Sequence, residues 1–378
     1  MTIKNEHNKI NVPNLRFPEF QGDWEESSIG EMFDLYSGNT PSRLNKEHFK
    51  GTINWISSGE LKEHYIYSSK EQISEEAAKS LKQLPVGTFV IAIYGLEAEG
   101  VRGTGSIIQE PSTISQACMS FIPKGVIENE FLYSWYKKHG NVIGIRYAQG
   151  TKQQNLSYDI LEKFRIAYPN SKEQEKLNNF ISLLDERIAT QNKIIDKLQS
   201  LIKGIAQKVS KQGKSNIRLS ECLQCSSSTL QESDVKEVGA YPVYGANGVV
   251  GHLDTYATAD EAIYIIKDGS GVGSVSYVKG KCSATGTLNI LQAKEGFSLG
   301  YLYFMLQVFS FEPYKTGMAI PHIYFKDYGK AKIYCPTYEL QCKYADMLSA
   351  IDQKVIAERQ ILTNLYSQKQ YLLRQMFI

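Results

Sequence analysis

"RIAYPNSKEQEKLNNFISLLDERIATQNKIIDKL" (Arg165–Leu198) and "KIYCPTYELQCKYADMLSAIDQKVIAERQILTNL" (Lys332–Leu365) are one segment written twice. One slides onto the other at a constant offset of 167 residues, without a gap. Pro169 meets Pro336, Gln174 meets Gln341 and Asp185 meets Asp352, while upstream Gly150 meets Gly317. A fixed internal period sets the architecture before any single element does. In the first copy Leu177, Ile181, Leu184, Ile188, Gln191, Ile195, Leu198, Ile202, Ile205 and Val209 alternate at spacings of 4 and 3. In the second, Tyr344, Leu348, Ile351, Val355, Glu358, Leu362, Leu365, Lys369, Leu372 and Met376 take the same places. A 3.5-residue apolar period over four heptads predicts a coiled-coil seam on each of two helices about 60 Å long. Asn170 or Ser171 can cap the first helix, and Ser171-x-x-Gln174 fits a capping box. Gln191 and Glu358 break the two seams at the same register: either they fix the alignment, or that end is wet. Antiparallel pairing would set the preceding domains at opposite ends of a pseudo-two-fold axis, although heptads alone do not exclude a parallel pair.

Working outward, each repeated helix is preceded by a stretch of strand signals in matching order. In the first half, "INWISSGELK" (Ile53–Lys62) leads to a helical "SEEAAKSLKQL" that ends at Pro85. The buried-strand run "VGTFVIAIYG" (Val86–Gly95), the strand "SQACMSFIPKG" and the helix "ENEFLYSWYKKHG" with its glycine stop come next. In the second half "YPVYGANGVVGHLDTY", "EAIYIIKDGSGVGSVSYV", "SATGTLNILQAKEG" and "LGYLYFMLQVF" take their places. The expected class is therefore α+β: two β-rich domains joined by two long helices forming an antiparallel coiled coil, with an internal pseudo-two-fold repeat. The expected boundaries are domain 1 at 1–168, a central helix at 169–213, domain 2 at 214–335 and a C-terminal helix at 336–378. Residues 1 to about 11 read as disordered. The helices are similar and the domains have diverged, which suggests one constant task and one variable task.

Bulk properties exclude more than they select. A net charge of +2 over 378 residues announces no strong basic field, so nucleic-acid binding would need local patches or a basic partner. Six cysteines form no disulfide framework, and Cys222-x-x-Cys225 has no second pair at zinc-site spacing. No metal site is expected. A polar N-terminus and the lack of a membrane-length apolar run predict a soluble, cytoplasmic chain that does not meet a membrane. Gly269-Ser-Gly271-Val-Gly273 does not complete a dinucleotide fingerprint, because Ser274 holds the last position. There is no phosphate-binding G-x-x-x-x-G-K-[ST] loop, nucleophile elbow, histidine pair or Pro-Pro methyltransferase motif. The chain is expected not to be an enzyme and to hold no cofactor of its own.

These strings, in this order, resemble the specificity subunit of type I restriction–modification systems. "VPNLRFPEFQGDWEESSIGEMF" (Val12–Phe33) resembles the family's opening, and "GNTPS" with "WISSGEL" the start of its target recognition domains. "QGTKQQNLS" followed by "LEKFRIAYPNSKEQEKLNNFISLLDERI" is similar to such a domain entering the central conserved helix, and "YPVYGANGVVGHLD" recurs in these domains. The resemblance implies that each globular domain reads one half of a split target in double-stranded DNA. The helices would act as a ruler and dock two modification subunits that methylate adenine, and two restriction subunits, the motor–nucleases, would join them. S-adenosylmethionine, ATP and Mg would belong to those partners. Two other readings are a coiled-coil scaffold whose domains bind protein or glycan, and a self-contained methyltransferase.

If the domains read DNA, the expected contacts are side chains that can pair with base edges or phosphates. In domain 1 they are Thr40, Ser42, Arg43, Ser57, Ser58, Tyr94, Arg102, Lys152, Gln153, Gln154 and Asn155. "GTKQQN" stands out among them, with amides and a cation beside a glycine turn. In domain 2 they are Tyr244, Asn247, His252, Lys267, Ser270 and His322. No catalytic residue is expected.

Overall fold

The computed structural model describes residues 11–98, 100–150 and 154–378. The expectation for the first ten residues, and the candidates Lys152 and Gln153, lie outside that range. The chain divides into two units: Met1–Ala189 with Thr363–Ile378, and Thr190–Leu362.

Unit 1 opens with β1 (Glu25–Ser28), the one-turn helix α1 (Ile29–Met32) and β2 (Phe33–Ser37). It continues through β3 (Ile53–Ile56), β4 (Tyr65–Ile66), β5 (Glu71–Ile73), α2 (Glu75–Ala78) and β6 (Phe89–Ala92). After β7 (Gly105–Ile108), β8 (Ser112–Ile114) and β9 (Cys118–Pro123) come α3 (Asn129–Tyr147), α4 (Tyr158–Leu161) and β10 (Arg165–Tyr168). Helix α5 (Ser171–Ser210) then begins. The strands form sheets of order β2-β9-β6-β7-β4, β5-β3-β8 and β1-β10. β6 comes from an unbroken apolar run and is buried along its whole length, as a central strand covered on both faces requires.

Unit 2 repeats the plan. Its elements are β11 (Ile217–Arg218), α6 (Leu219–Cys222), β12 (Leu223–Ser227), β13 (Tyr241–Gly245), β14 (Gly248–Leu253) and β15 (Glu261–Ile266). β16 (Val275–Lys279), β17 (Ser283–Ala284), β18 (Leu288–Ala293), α7 (Leu299–Gln307), α8 (Phe325–Tyr328), β19 (Lys332–Ile333) and α9 (Tyr338–Met376) follow. The sheets run β12-β18-β15-β16, β14-β13-β17 and β11-β19. β13 pairs parallel with β17 as β3 does with β8. Among the described residues nothing corresponds to β4, and the larger sheet ends at β16. The mixed helix-and-sheet class expected from the sequence is the one adopted.

One repeated side chain ties each long helix to the unit before it. Gln174 accepts from the Glu128 amide at 3.0 Å and donates to the Pro169 carbonyl at 2.9 Å. Gln341 does the same with Ser298 and Pro336, at 3.0 and 2.9 Å. Both are almost fully buried, where an unpaired amide would cost about 1–3 kcal/mol. The expected Ser171-x-x-Gln174 capping box is thereby replaced: Asn170 Oδ1 caps the Glu173 amide at 3.1 Å, and Gln174 is committed elsewhere.

The seam positions form the buried face of each long helix. Within unit 2, Ile195, Ile202 and Val209 share a core with Leu348 and Val355. Within unit 1, Leu177, Ile181 and Leu184 share one with Leu372 and Met376. Each such side chain contributes about 1.5–3 kcal/mol, several times an exposed ion pair, so the apolar pattern decides the packing. Gln191 and Glu358 are both buried and meet: the Gln191 amide donates to the Glu358 carbonyl at 3.1 Å and to its carboxylate. Lys354 and Gln191 hold the Glu358 carboxyl below its usual range. Lys369, an interruption of the second seam, pairs with Asp185.

Two further sequence expectations are corrected. Gly140 does not stop α3, which continues to Tyr147. A Cβ there would meet the Tyr136 ring at 2.8 Å and Gly103 Cα at 2.9 Å, so this glycine permits close approach of a loop. The helix in "SEEAAKSLKQL" lasts only from Glu75 to Ala78. Ser80 Oγ donates to the Ala77 carbonyl, and Leu84 exchanges backbone bonds with Ser112, which draws the chain to the sheet. Among the described residues no helix is long and apolar enough to cross a membrane.

Candidate nucleic-acid interface

The loop after α3 in unit 1 and the loop after α7 in unit 2 are pinned by the same backbone bonds. Gln149 and Asn155 exchange bonds of 2.8 and 2.9 Å, and Thr316 and His322 exchange bonds of 2.9 and 2.8 Å. Asn155 also bridges to Tyr94, and His322 to Asp268, at the end of the buried central strand. A third link joins Leu96 N to the Gln154 carbonyl at 3.1 Å, and in unit 2 Gly269 N to the Pro321 carbonyl at 2.9 Å. Gly150 (φ +112°) and Gly317 (φ +88°) open these loops in a backbone region that side chains disfavour. The constant sequence offset thus carries over to a repeated backbone device. The ends of both loops are fixed, and in unit 2 the stretch between them stands exposed at Met318 and Ile320.

Tyr94, Gln154 and Asn155 are brought together here, and the Gln154 amide donates to Glu97 Oε2 at 2.9 Å. That bond holds the Glu97 carboxyl below its ordinary range. Arg102 lies on the adjoining loop with its stem against Gly144. Arg102 Nε and Asn155 Oδ1 are buried with no hydrogen-bond partner among the described residues.

Thr40, Ser42, Arg43, Ser57 and Ser58 lie apart from that loop, around β3. Arg43 is already engaged: its guanidinium makes a two-pronged ion pair with Glu71 at 2.6 and 2.7 Å. It also lies over the rings of Phe49 at 4.2 Å and Trp55 at 5.2 Å. Ser57 Oγ donates to Glu60 at 2.6 Å as part of a cap on a short 3-10 turn that contains Ser58. The Thr40 amide donates to Asn39 Oδ1 at 2.8 Å. Ser42 is exposed.

In unit 2, His322 ends the pinned loop, and Lys267 and Ser270 lie on the loop after β15 to which it is bonded. Lys267 pairs with Asp268, a partner the sequence reading passed over. His322 Nδ1 faces the Ile320 carbonyl at 3.1 Å; since a carbonyl only accepts, that nitrogen carries the proton. Tyr244, Asn247 and His252 form a second group on the β13–β14 hairpin. Tyr244 packs edge-on to Tyr264 at 5.8 Å and so is partly a core residue, while Asn247 stands exposed at the turn. His252 Nδ1 donates to the Glu237 carbonyl at 3.1 Å. Each unit therefore gathers its candidates into two groups. Hydroxyls, amides and cations of this kind hydrogen-bond to base edges and phosphates.

The family model of the type I restriction modification DNA specificity domain matches residues 21–200 and again 215–366. The chain is 30% identical over 185 residues to the type I restriction enzyme MjaIX specificity subunit of Methanocaldococcus jannaschii, covering 47% of this chain and 42% of that protein. It is 29% identical over 200 residues to the EcoR124I/EcoR124II specificity subunit of Escherichia coli, covering 52% and 48%. The chain thus spans a little under half the length of these two relatives. The fold is similar to that of a crystallised S subunit of a type I restriction–modification system from M. genitalium: TM-score 0.62, 19% identity, 97% of this chain and 99% of that one.

Proposed function

The chain belongs to the type I restriction modification DNA specificity family, whose domain it carries twice, and we propose that each copy reads one half of a split target in double-stranded DNA. The observation that carries this reading is the pinned loop, built by the same backbone bonds in both units and differing in its side chains. A constant frame with variable tips is the arrangement a reader of two different half-sites needs.

On this proposal α5 and α9 form an antiparallel coiled coil that fixes the spacer, and two readers on one stiff spacer raise each other's effective concentration. The helices also dock two modification subunits, and two restriction subunits join them. Leu183, Leu201, Ile356 and Tyr366 stand exposed on those helices, apolar contacts of the kind a protein partner covers. S-adenosylmethionine, ATP and Mg would stay with the partners, this chain being a non-catalytic subunit at work in the cytoplasm. The domains are proposed to run 1–168 and 214–335, with helices at 169–213 and 336–378. With a net charge of +2, the isolated chain should bind DNA weakly and with strong salt dependence, and the assembly tightly.

The test is methylome sequencing of a methylation-free host that co-expresses this chain with its modification subunit. A split motif carrying methyladenine in both halves supports the reading. A stable complex that methylates nothing overturns it.

A further inference from the structure

The two pinned loops carry opposite chemistry in the same frame. Gly150 opens a loop of sequence Thr-Lys-Gln-Gln, and Gly317 opens Met318-Ala319-Ile320-Pro321. Met318 is 107% exposed and Ile320 66% exposed. Single apolar side chains on a surface need no explanation. Two within three residues, on a tip whose flanks are fixed by bonds from Thr316, His322 and Pro321, invite one. The ring of His322 ties back to the Ile320 carbonyl at 3.1 Å, which steadies the tip further.

Resting on the reading that each unit recognises a half-site, we propose that Met318 and Ile320 recognise thymine through its C5-methyl group. Base edges in the major groove offer donors, acceptors and one apolar feature, the thymine methyl. The lysine and glutamines that follow Gly150 in the sequence carry groups suited to the donors and acceptors. A methionine–isoleucine tip has no side-chain donor and only the weakly accepting thioether sulfur, so the methyl is the feature its side chains match. The half-site of unit 2 therefore contains at least one thymine read by apolar contact, and the Gly150 loop reads its own half by hydrogen bonds.

The test uses the full chain in complex with its modification subunit, and duplexes carrying the split motif found for the wild type. Each thymine in the half assigned to unit 2 is replaced in turn by uracil, which keeps every hydrogen-bonding group and lacks the methyl. The expected result is about a tenfold loss of affinity at one or two positions, the scale of one methyl group in an apolar contact. The Met318→Ser/Ile320→Ser variant should bind the thymine and uracil duplexes alike at those positions. Its substitutions lie on exposed tips, and an unchanged melting temperature would confirm that the fold is kept. Wild-type indifference to every uracil overturns the assignment, as does a serine variant that keeps the preference. A variant weakened equally on all duplexes, with the preference intact, would make the tip a wedge between base steps and overturns it too. A wild-type complex that does not prefer the split motif over a scrambled duplex overturns the function itself, and this assignment with it.

Discussion

Asp185 and Asp352 hold the same position in the two copies of the repeated helix, yet their carboxyl pKa values move in opposite directions. In unit 1, Asp185 accepts from His64 Nδ1 at 3.1 Å and pairs with Lys369, while His64 Nε2 bonds to Glu130 at 2.9 Å. The imidazole lies between the rings of Tyr65 and Tyr133, at 4.0 and 3.9 Å. Burial alone would lower the pKa of His64; the bonds to Asp185 and Glu130 outweigh it and raise it. Burial likewise works to raise Asp185, and His64 with Lys369 brings it below its usual value. In unit 2, Asp352 lines a cleft of about 340 Å³ beside Ile202, Lys203 and Val275, and burial leaves its pKa raised in spite of Arg359. Unit 1 has β4, with His64 immediately before it; unit 2 has no such strand among its described residues. Two partners of Asp185 have no counterpart at Asp352 among the described residues: His64 beside β4, and Lys369, whose register Ile202 holds in the other copy.

Asp185→Ala should cost about 3 kcal/mol in urea denaturation, because it leaves the buried imidazolium with Glu130 alone and takes the carboxylate from Lys369. Hydrogen exchange should place the loosening in unit 1 and leave the amides around Leu348 protected. Equal losses from Asp185→Ala and Asp352→Ala would remove the distinction.

The pH dependence sharpens it. A raised histidine pKa gives stability that is complete below the unfolded value of about 6.5 and is lost as pH rises through the folded value. The lowered pKa of Asp185 gives stability present above about 3.9 and lost as pH falls through its own folded value. The stability gap between wild type and His64→Phe should therefore be widest between about pH 4 and 6.5 and shrink toward alkaline pH. A gap that grows above pH 7 contradicts the protonated clamp. Lys137, which burial and Lys369 lower to about 8, adds a second titration in that upper range.

Smaller effects distinguish the facing seam positions. Lys369→Met should cost about 2 kcal/mol, since Asp185 keeps the bond to His64 but loses its ion pair with Lys369. Ile202→Met, at the corresponding register, should cost less than about 1.5 kcal/mol by calorimetry. Asp352→Asn should stabilise unit 2 by about 0.5 kcal/mol at neutral pH, because it removes a charge that burial disfavours. A loss at that position would mean that the carboxylate has a partner worth keeping.

The repeat and its seam were legible because they depend on local spacing and a constant offset, which Gln191 with Glu358 and Gln174 with Gln341 carry into matched contacts. The loop from Gly150 to Asn155 was legible through the same offset. The clamp on His64 was not: its partners lie 66 and 121 residues away, and a lone histidine in sequence gives no sign of them. Gly140 misled because a helix-stopping glycine and a close-packing glycine look alike until Gly103 approaches. Arg43 was read as a cation of reading type, while its engagement by Glu71, 28 positions further along the chain, was hidden from the sequence. Side-chain type reports chemistry, and only folding reports which of those groups are already in use.

That last pair has a consequence for how a sequence preference could drift over generations. Arg43 and Glu71 form an exposed pair worth about 0–1 kcal/mol, so the fork lets go at little cost. If Arg43 meets DNA, it must exchange a planar two-oxygen acceptor for another, and the guanine edge with O6 and N7 offers a similar two-point match. Poor acceptors would leave it where it is. A change at Glu71 would then relax discrimination at a base that Glu71 never touches, so selection on this chain could act through residues that stand guard over a contact.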